Sequence, residues 1–349
     1  MMAAQVDNSG QDQSALFRGD DKEITLKDAK SVRGTPARSM PAFILGEELA
    51  DLADNDPRIV VATADLANSS RARDFANRHP DRFIDFGIAE RNMITAAAGM
   101  ASCGMVPYVA TFAAFCGLLG AEVIRTDCAY PRMNVRIIAH HSGISMGFYG
   151  TSHHALEDIG MMRTIADLTV VCAADANQLR AILRASLEHP GAMYIRLGRG
   201  RDAEVYGGVP ADFRIGKAAK LREGRDLTII ATGSQVHASL AAADRLEAKG
   251  RSVRVLDMHT IKPLDVEAVK AAAAETRAIM TVEEHNVIGG LGSAVAEVLA
   301  GGPQVPFLRH GIHDEFSLIG PPAALYAHYG LDADGVTRVA GEFLAGADN

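Results

Sequence analysis

Cysteine is scarce and scattered. Cys103, Cys116, Cys128 and Cys172 stand singly in apolar stretches of a 349-residue chain. With no Cys-x-x-Cys pair, a zinc ribbon or a disulfide framework is not expected. Isolated cysteines that read as buried suit a reducing cytoplasm. There is no run of about twenty apolar residues, so no membrane span is expected. The first residues lack the charged-then-apolar order of a secretion signal. Lys and Arg do not cluster along a face and the formal charge is −8, so no nucleic-acid footprint is visible. Helical metal spacing of the His-Glu-x-x-His type is also missing.

What is there reads as a soluble globular chain: 48% hydrophobic and 22% charged residues. The length allows two domains, each with its own core. Residues 1–35 are polar and read as a mobile tail, with a short helix at Ile24 to Ala29. After Pro36, short β-branched runs alternate with helical patterns. Strands are expected at 59–62, 83–86, 108–110, 135–138, 169–172 and 193–195. Helices are expected near 40–54, 88–104, 113–129, 155–164 and 176–188. Residues 201–225 carry Gly207-Gly208-Val209-Pro210 and mixed charge, and read as a linker. The alternation then restarts, with strands at 227–231, 253–256, 279–282 and 305–308. Helices follow near 235–249, 265–275, 290–300 and 334–345. Such alternation predicts an α/β protein of two domains, 36–200 and 226–349. Each has a mostly parallel sheet with helices on both faces.

Several residues fall at the carboxyl ends of expected strands, where open α/β sheets place ligands. Glu90 follows a Gly87 turn. It either complements a positive helix end, worth about 0.3–1 kcal/mol, or faces a ligand. Phe112 and Phe115 have core spacing, yet their place at a strand end leaves room for stacking. His140-His141 and His153-His154 flank a loop from Gly143 to Gly150. Adjacent histidines on extended chain point to opposite faces, so neither pair is expected to hold a metal. That loop either binds a polar substrate group or caps the strand. Gly289-Gly290-Leu291-Gly292 lacks the third spaced glycine of a dinucleotide loop, and close helix–strand packing explains it better. Arg38, Ser69 and Arg199 are polar residues at similar edges.

Taken in order, Ala64-Asp65-Leu66, Gly87-Ile88-Ala89-Glu90-Arg91-Asn92-Met93, Thr111-Phe112-Ala113-Ala114-Phe115 and Gly150-Thr151-Ser152-His153-His154-Ala155-Leu156-Glu157-Asp158 resemble the carboxyl-terminal half of transketolase. The resemblance runs from near Pro36 to the end and includes Ala231-Thr232-Gly233-Ser234 and Val282-Glu283-Glu284-His285. It implies a pyrimidine-binding domain followed by a transketolase C-terminal domain. It also implies a thiamine diphosphate cofactor. In the family a glutamate matching Glu90 hydrogen-bonds the aminopyrimidine and so activates the thiazolium C2, and Phe112 and Phe115 match the pyrimidine pocket. Asp65 and Leu66 belong to the same cofactor set. Arg38, Ser69, His141 and Arg199 match sugar-phosphate ligands, and His153 matches a residue near the donor hydroxyls.

Thiamine enzymes hold Mg²⁺ and the diphosphate with a Gly-Asp-Gly run and a later Asn, and this sequence contains no such segment. The resemblance therefore implies a split enzyme. An amino-terminal subunit would hold most of the Mg²⁺ and diphosphate site, in an α2β2 heterotetramer. At Phe148-Tyr149 the usual transketolase has Glu-Asp. Tyr149 thus argues against ordinary pentose phosphates and points to another ketose, such as apulose 4-phosphate. The rival readings are a 2-oxo acid dehydrogenase β subunit, a deoxyxylulose phosphate synthase, and a non-catalytic scaffold subunit.

Overall fold

The computed structural model describes residues 41–199, 202–302 and 304–347, except the side chains of 41–43. The expected tail, its short helix and Arg38 lie outside the described residues. The elements, in chain order, are α1 (Pro41–Ala53), β1 (Ile59–Thr63), α2 (Ala72–Arg78), β2 (Phe83–Asp85), α3 (Glu90–Ser102), β3 (Val106–Phe112), β4 (Arg136–His140), α4 (Asp158–Thr164), β5 (Thr169–Cys172), α5 (Ala176–Leu187) and β6 (Met193–Arg196). They continue with β7 (Ala219–Arg222), β8 (Leu227–Ala231), α6 (Gln235–Glu247), β9 (Val253–Asp257), β10 (Thr260–Lys262), α7 (Val266–Glu275), β11 (Ile279–Asn286), α8 (Leu291–Leu299), β12 (Phe307–Ile312), α9 (Pro322–His328) and α10 (Ala333–Ala347).

Two sheets result, with strand orders β10-β5-β6-β4-β3-β1-β2 and β12-β11-β8-β9-β7. Every pairing is parallel except β10 with β5 and β7 with β9. The fold is therefore two α/β units with mostly parallel sheets. Strands β1, β3, β4, β5 and β6 are buried along their whole length. That is why they read as continuous apolar runs rather than alternating ones.

Four expectations need correction. The linker over 201–225 is not wholly a linker, because Ala219–Arg222 pairs with β9 as an edge strand. Its charged side chains suit an edge and disguise it. Strand β10 comes from the second half of the chain yet lies on the first sheet, against β5. The helix expected at 113–129 is wound more loosely, π-like, over Phe115–Leu119 and Ile124–Ala129, with a break at Gly120. Gly120 sits tightly there: an added Cβ would lie 2.6 Å from the Cys116 carbonyl oxygen. Finally, Cys103 is exposed, because it closes α3, whereas the other three cysteines are buried.

The glycine run 289–292 serves packing, as expected. A Cβ on Gly292 would lie 2.8 Å from Thr281 Oγ1 and from the Arg309 side chain. The first amides of α8, from Leu291 and Gly292, both donate to Glu283 at 2.7 Å. The helix end is thus already occupied by the chain's own carboxylate. No helix among the described residues is long and apolar enough to cross a membrane.

Candidate active site

The carboxyl ends of β6, β4, β3, β1 and β2 lie side by side, and the loops leaving them carry the predicted residues. After β1 the chain turns through Asp65 in the left-handed region, at φ 57°. Non-glycine residues seldom adopt it, and it clusters at functional sites. The Leu66 amide donates to Thr63 Oγ1 at 3.2 Å. One carboxylate oxygen of Asp85 accepts the amides of Asp65 at 2.9 Å and Gly87 at 3.0 Å. Asp85 thereby ties the β1 and β2 loops together. Gly87, at φ 65°, makes the turn into α3, which opens with Glu90. The Glu90 side chain is buried, with the residue 7% exposed. Its carboxylate has no hydrogen bond or ion pair from another described residue. A buried carboxylate without a partner is costly, so it suits a ligand that supplies the donor.

Phe112 ends β3 and is the hub of a ring cluster. Its ring centroid lies 5.5 Å from Phe115, 5.0 Å from His140, 4.8 Å from His141 and 5.6 Å from His153. His153 in turn lies 5.1 Å from Phe115 and 4.8 Å from Tyr149. The cluster exists because the chain does not stop at the end of β4. His141 enters the left-handed region at φ 57°. The His141 and Ser142 amides then donate to Gly198 and Leu197 carbonyls at 3.3 and 3.2 Å. This holds the His141 loop beside the Leu197–Arg199 segment.

The cluster is neutral in character. Burial, followed by the charge of Arg199 and the neighbouring His153, pushes His141 down to about 3. Burial, then His141, holds His140 well below the usual histidine range. Burial also lowers His153. The rings therefore act as hydrogen-bonding groups at neutral pH, with Arg199 supplying positive charge. Apolar ring faces beside neutral imidazoles and an arginine suit a flat heterocycle and a polar, anionic substrate.

The structure thus gathers Phe112, Phe115, His141, Tyr149 and His153 in ring contact, with Arg199 acting on His141. Glu90, Asp65 and Leu66 stand on adjacent loops. Ser69 is exposed in the β1 loop and makes no hydrogen bond to the cluster. Two further residues belong to the site without a clear sign in the sequence. His140 is the inner partner of a histidine pair, and Asp85 ends a short strand. Among the described residues no three or more His, Cys, Asp or Glu side chains converge to hold a metal ion.

The family model of the transketolase pyrimidine binding domain matches residues 42–201, and that of the transketolase C-terminal domain matches residues 216–336. One of the two subunits of the apulose-4-phosphate transketolase of Phocaeicola vulgatus is 40% identical over 298 residues, covering 85% of this chain and 95% of that protein. The chain belongs to the transketolase family. A split-gene transketolase solved as an inactive β4 tetramer shares 41% identity, with TM-score 0.78, over 86% of this transketolase chain and 96% of that one. The 1-deoxy-D-xylulose-5-phosphate synthase of Syntrophotalea carbinolica is 36% identical over 95% of this chain, which spans only 52% of that protein.

Proposed function

We propose that this chain is the pyrimidine-binding and C-terminal subunit of a two-chain, thiamine diphosphate-dependent transketolase of the cytoplasm. It moves a two-carbon glycolaldehyde unit from a ketose phosphate to an aldose phosphate. The observation that carries this reading is Glu90. A buried carboxylate, unpartnered among the described residues, opens a helix beside the strand that ends in the Phe112 ring cluster.

The residues present fit an aminopyrimidine. Glu90 would hydrogen-bond a ring nitrogen, its dry setting favouring a shared proton. Phe112 and Phe115 would give the ring an apolar face, with Asp65 and Leu66 at its edge. When bound, thiamine diphosphate supplies a nucleophilic carbon able to add to a carbonyl. His141, His153, Ser69 and Arg199, together with Arg38, would bind and orient the sugar and its phosphate. The chain offers no Gly-Asp-Gly segment, so the diphosphate and Mg²⁺ are assigned mainly to an amino-terminal partner subunit in an α2β2 assembly. The inactivity of the relative's β4 tetramer supports that dependence. This chain spans 95% of a split transketolase relative but only about half of a synthase. That contrast favours the split transketolase over the synthase reading.

Tyr149 stands where the family's usual acid would meet the acceptor hydroxyl. The substrate is therefore an unusual ketose phosphate, and the P. vulgatus relative supports apulose 4-phosphate. The test is reconstitution with a partner carrying Gly-Asp-Gly and a downstream Asn. Thiamine diphosphate, Mg²⁺, a panel of ketose phosphates and an aldose phosphate would be supplied. Two-carbon transfer without carbon dioxide is expected. Carbon dioxide release from pyruvate, without transfer, would overturn the reading.

A further inference from the structure

Glu284 lies on β11 of the second sheet and is 1% exposed. Its Oε1 accepts the Ile144 amide and the Tyr326 hydroxyl, each at 2.7 Å, and its Oε2 accepts the Ser234 hydroxyl at 2.6 Å. Three donors satisfy a buried carboxylate that would otherwise be expensive. Two of them come from its own half of the chain. The third, Ile144, belongs to the loop that leaves His140 and His141 in the other half.

The contact is built for close approach. Gly143 has φ +61°, and a Cβ there would lie 2.2 Å from the Glu284 carboxyl carbon. Gly143 and Ala155 exchange backbone hydrogen bonds of 3.1 and 2.9 Å. Residues 144–154, with Tyr149 and His153 among them, thus form a closed loop on a two-residue base. Both ends of that base are held by one short piece of β11. The Asn286 amide donates to the Leu156 carbonyl at 2.9 Å. The Arg196 guanidinium donates to the carbonyls of Ala155 and Glu284, each at 3.0 Å, and pairs with Asp158 at 2.8 Å. Ile144 and Leu156 are buried within the apolar core of the second half.

We propose that Glu284 is a positioning residue for the sugar site. By fixing the Gly143–Ile144 base, it sets where Tyr149 and His153 stand against Phe112 and Phe115. The second half of the chain thereby shapes substrate binding without touching substrate. This deepens the transketolase reading and rests on it for its kinetic arm.

The test compares Glu284→Ala and Glu284→Gln in the reconstituted complex, with hydrogen exchange measured on residues 143–156. Alanine leaves the Ile144 amide unpaired. It should raise KM for the ketose phosphate about tenfold, with kcat changed less than about threefold, and speed exchange in the loop. Glutamine keeps an acceptor for Ile144 and the shape of the site. It should restore KM to within about threefold of wild type. Unchanged KM and exchange in the alanine variant would overturn the proposal. So would equal losses of kcat in both variants without a KM change, because that pattern marks a merely structural role. If the wild-type complex transfers no two-carbon unit at all, the functional reading fails. Loop exchange in the chain then still decides whether Glu284 fixes the loop.

Discussion

His140 and His141 approach each other Nδ1 to Nδ1 at 2.7 Å. At that distance one ring donates and the other accepts, so a second proton on the acceptor would break the bond. Burial keeps both rings neutral. A sugar phosphate placed beside them reverses that preference, because an anion favours the protonated imidazole. Binding should therefore take up protons, and affinity should fall as pH rises. Calorimetry at pH 6 in buffers of different ionisation heat should show buffer-dependent enthalpies, and His141→Asn should remove most of the dependence. Identical enthalpies in all buffers would exclude this coupling.

Glu90→Gln keeps the shape of the buried site and removes its proton exchange. In the reconstituted complex kcat should fall by about 100-fold or more. Subunit assembly, followed by size-exclusion chromatography, should be unchanged. Near wild-type turnover would remove Glu90 from the mechanism.

Tyr149 is 58% exposed and leans on His153, so its replacement should be tolerated. Tyr149→Asp supplies an anionic acceptor at the rim. It should raise kcat/KM for an ordinary 2-hydroxyaldose phosphate by about tenfold and lower it for the native pair. A steady-state comparison of both acceptors checks this. Parallel loss for both would show that Tyr149 does not select.

Asp257 gives a pH-dependent stability with a definite sign. Burial raises its carboxyl from 3.8 to about 7, against hydrogen bonds from Tyr206 and Gln178 that lower it. Between those values the folded chain holds a proton that the unfolded chain releases, so stability falls as pH rises from about 4 to 7. Asp257→Asn cannot titrate. Its Tm minus that of wild type should grow across this window and level off above about 7. A flat difference by scanning calorimetry would show that Asp257 is ionised when folded.

The buried parallel strands were legible because a strand covered on both faces is a continuous β-branched run, as in Ile59–Thr63 and Leu227–Ala231. The edges were not. Ala219–Arg222 alternates charge with apolar residues and reads as linker, while Thr260–Lys262 is too short for any period. Short helices such as Ala72–Arg78 and Pro322–His328 escape for the same reason. In the site, Glu90 and the two phenylalanines could be placed at strand ends, although local pattern left their roles open. The grouping of His140 with Phe112, the bracing by Asp85 and the reach of Glu284 across 140 residues depend on tertiary contacts that no local window contains.

Strand β10 closes the edge of the first sheet with residues that follow the linker by some fifty positions. A fragment ending near residue 200 would leave β5 with an open row of amides and carbonyls beside a core that also contains Met258 and Ile261. Such an edge recruits other chains. Truncation at the apparent boundary should therefore yield aggregates rather than a smaller soluble protein. A nick within 207–212 should leave the two pieces associated. Gene fission or fusion in this lineage can relocate the diphosphate-binding half, but these two halves have to be inherited as one polypeptide.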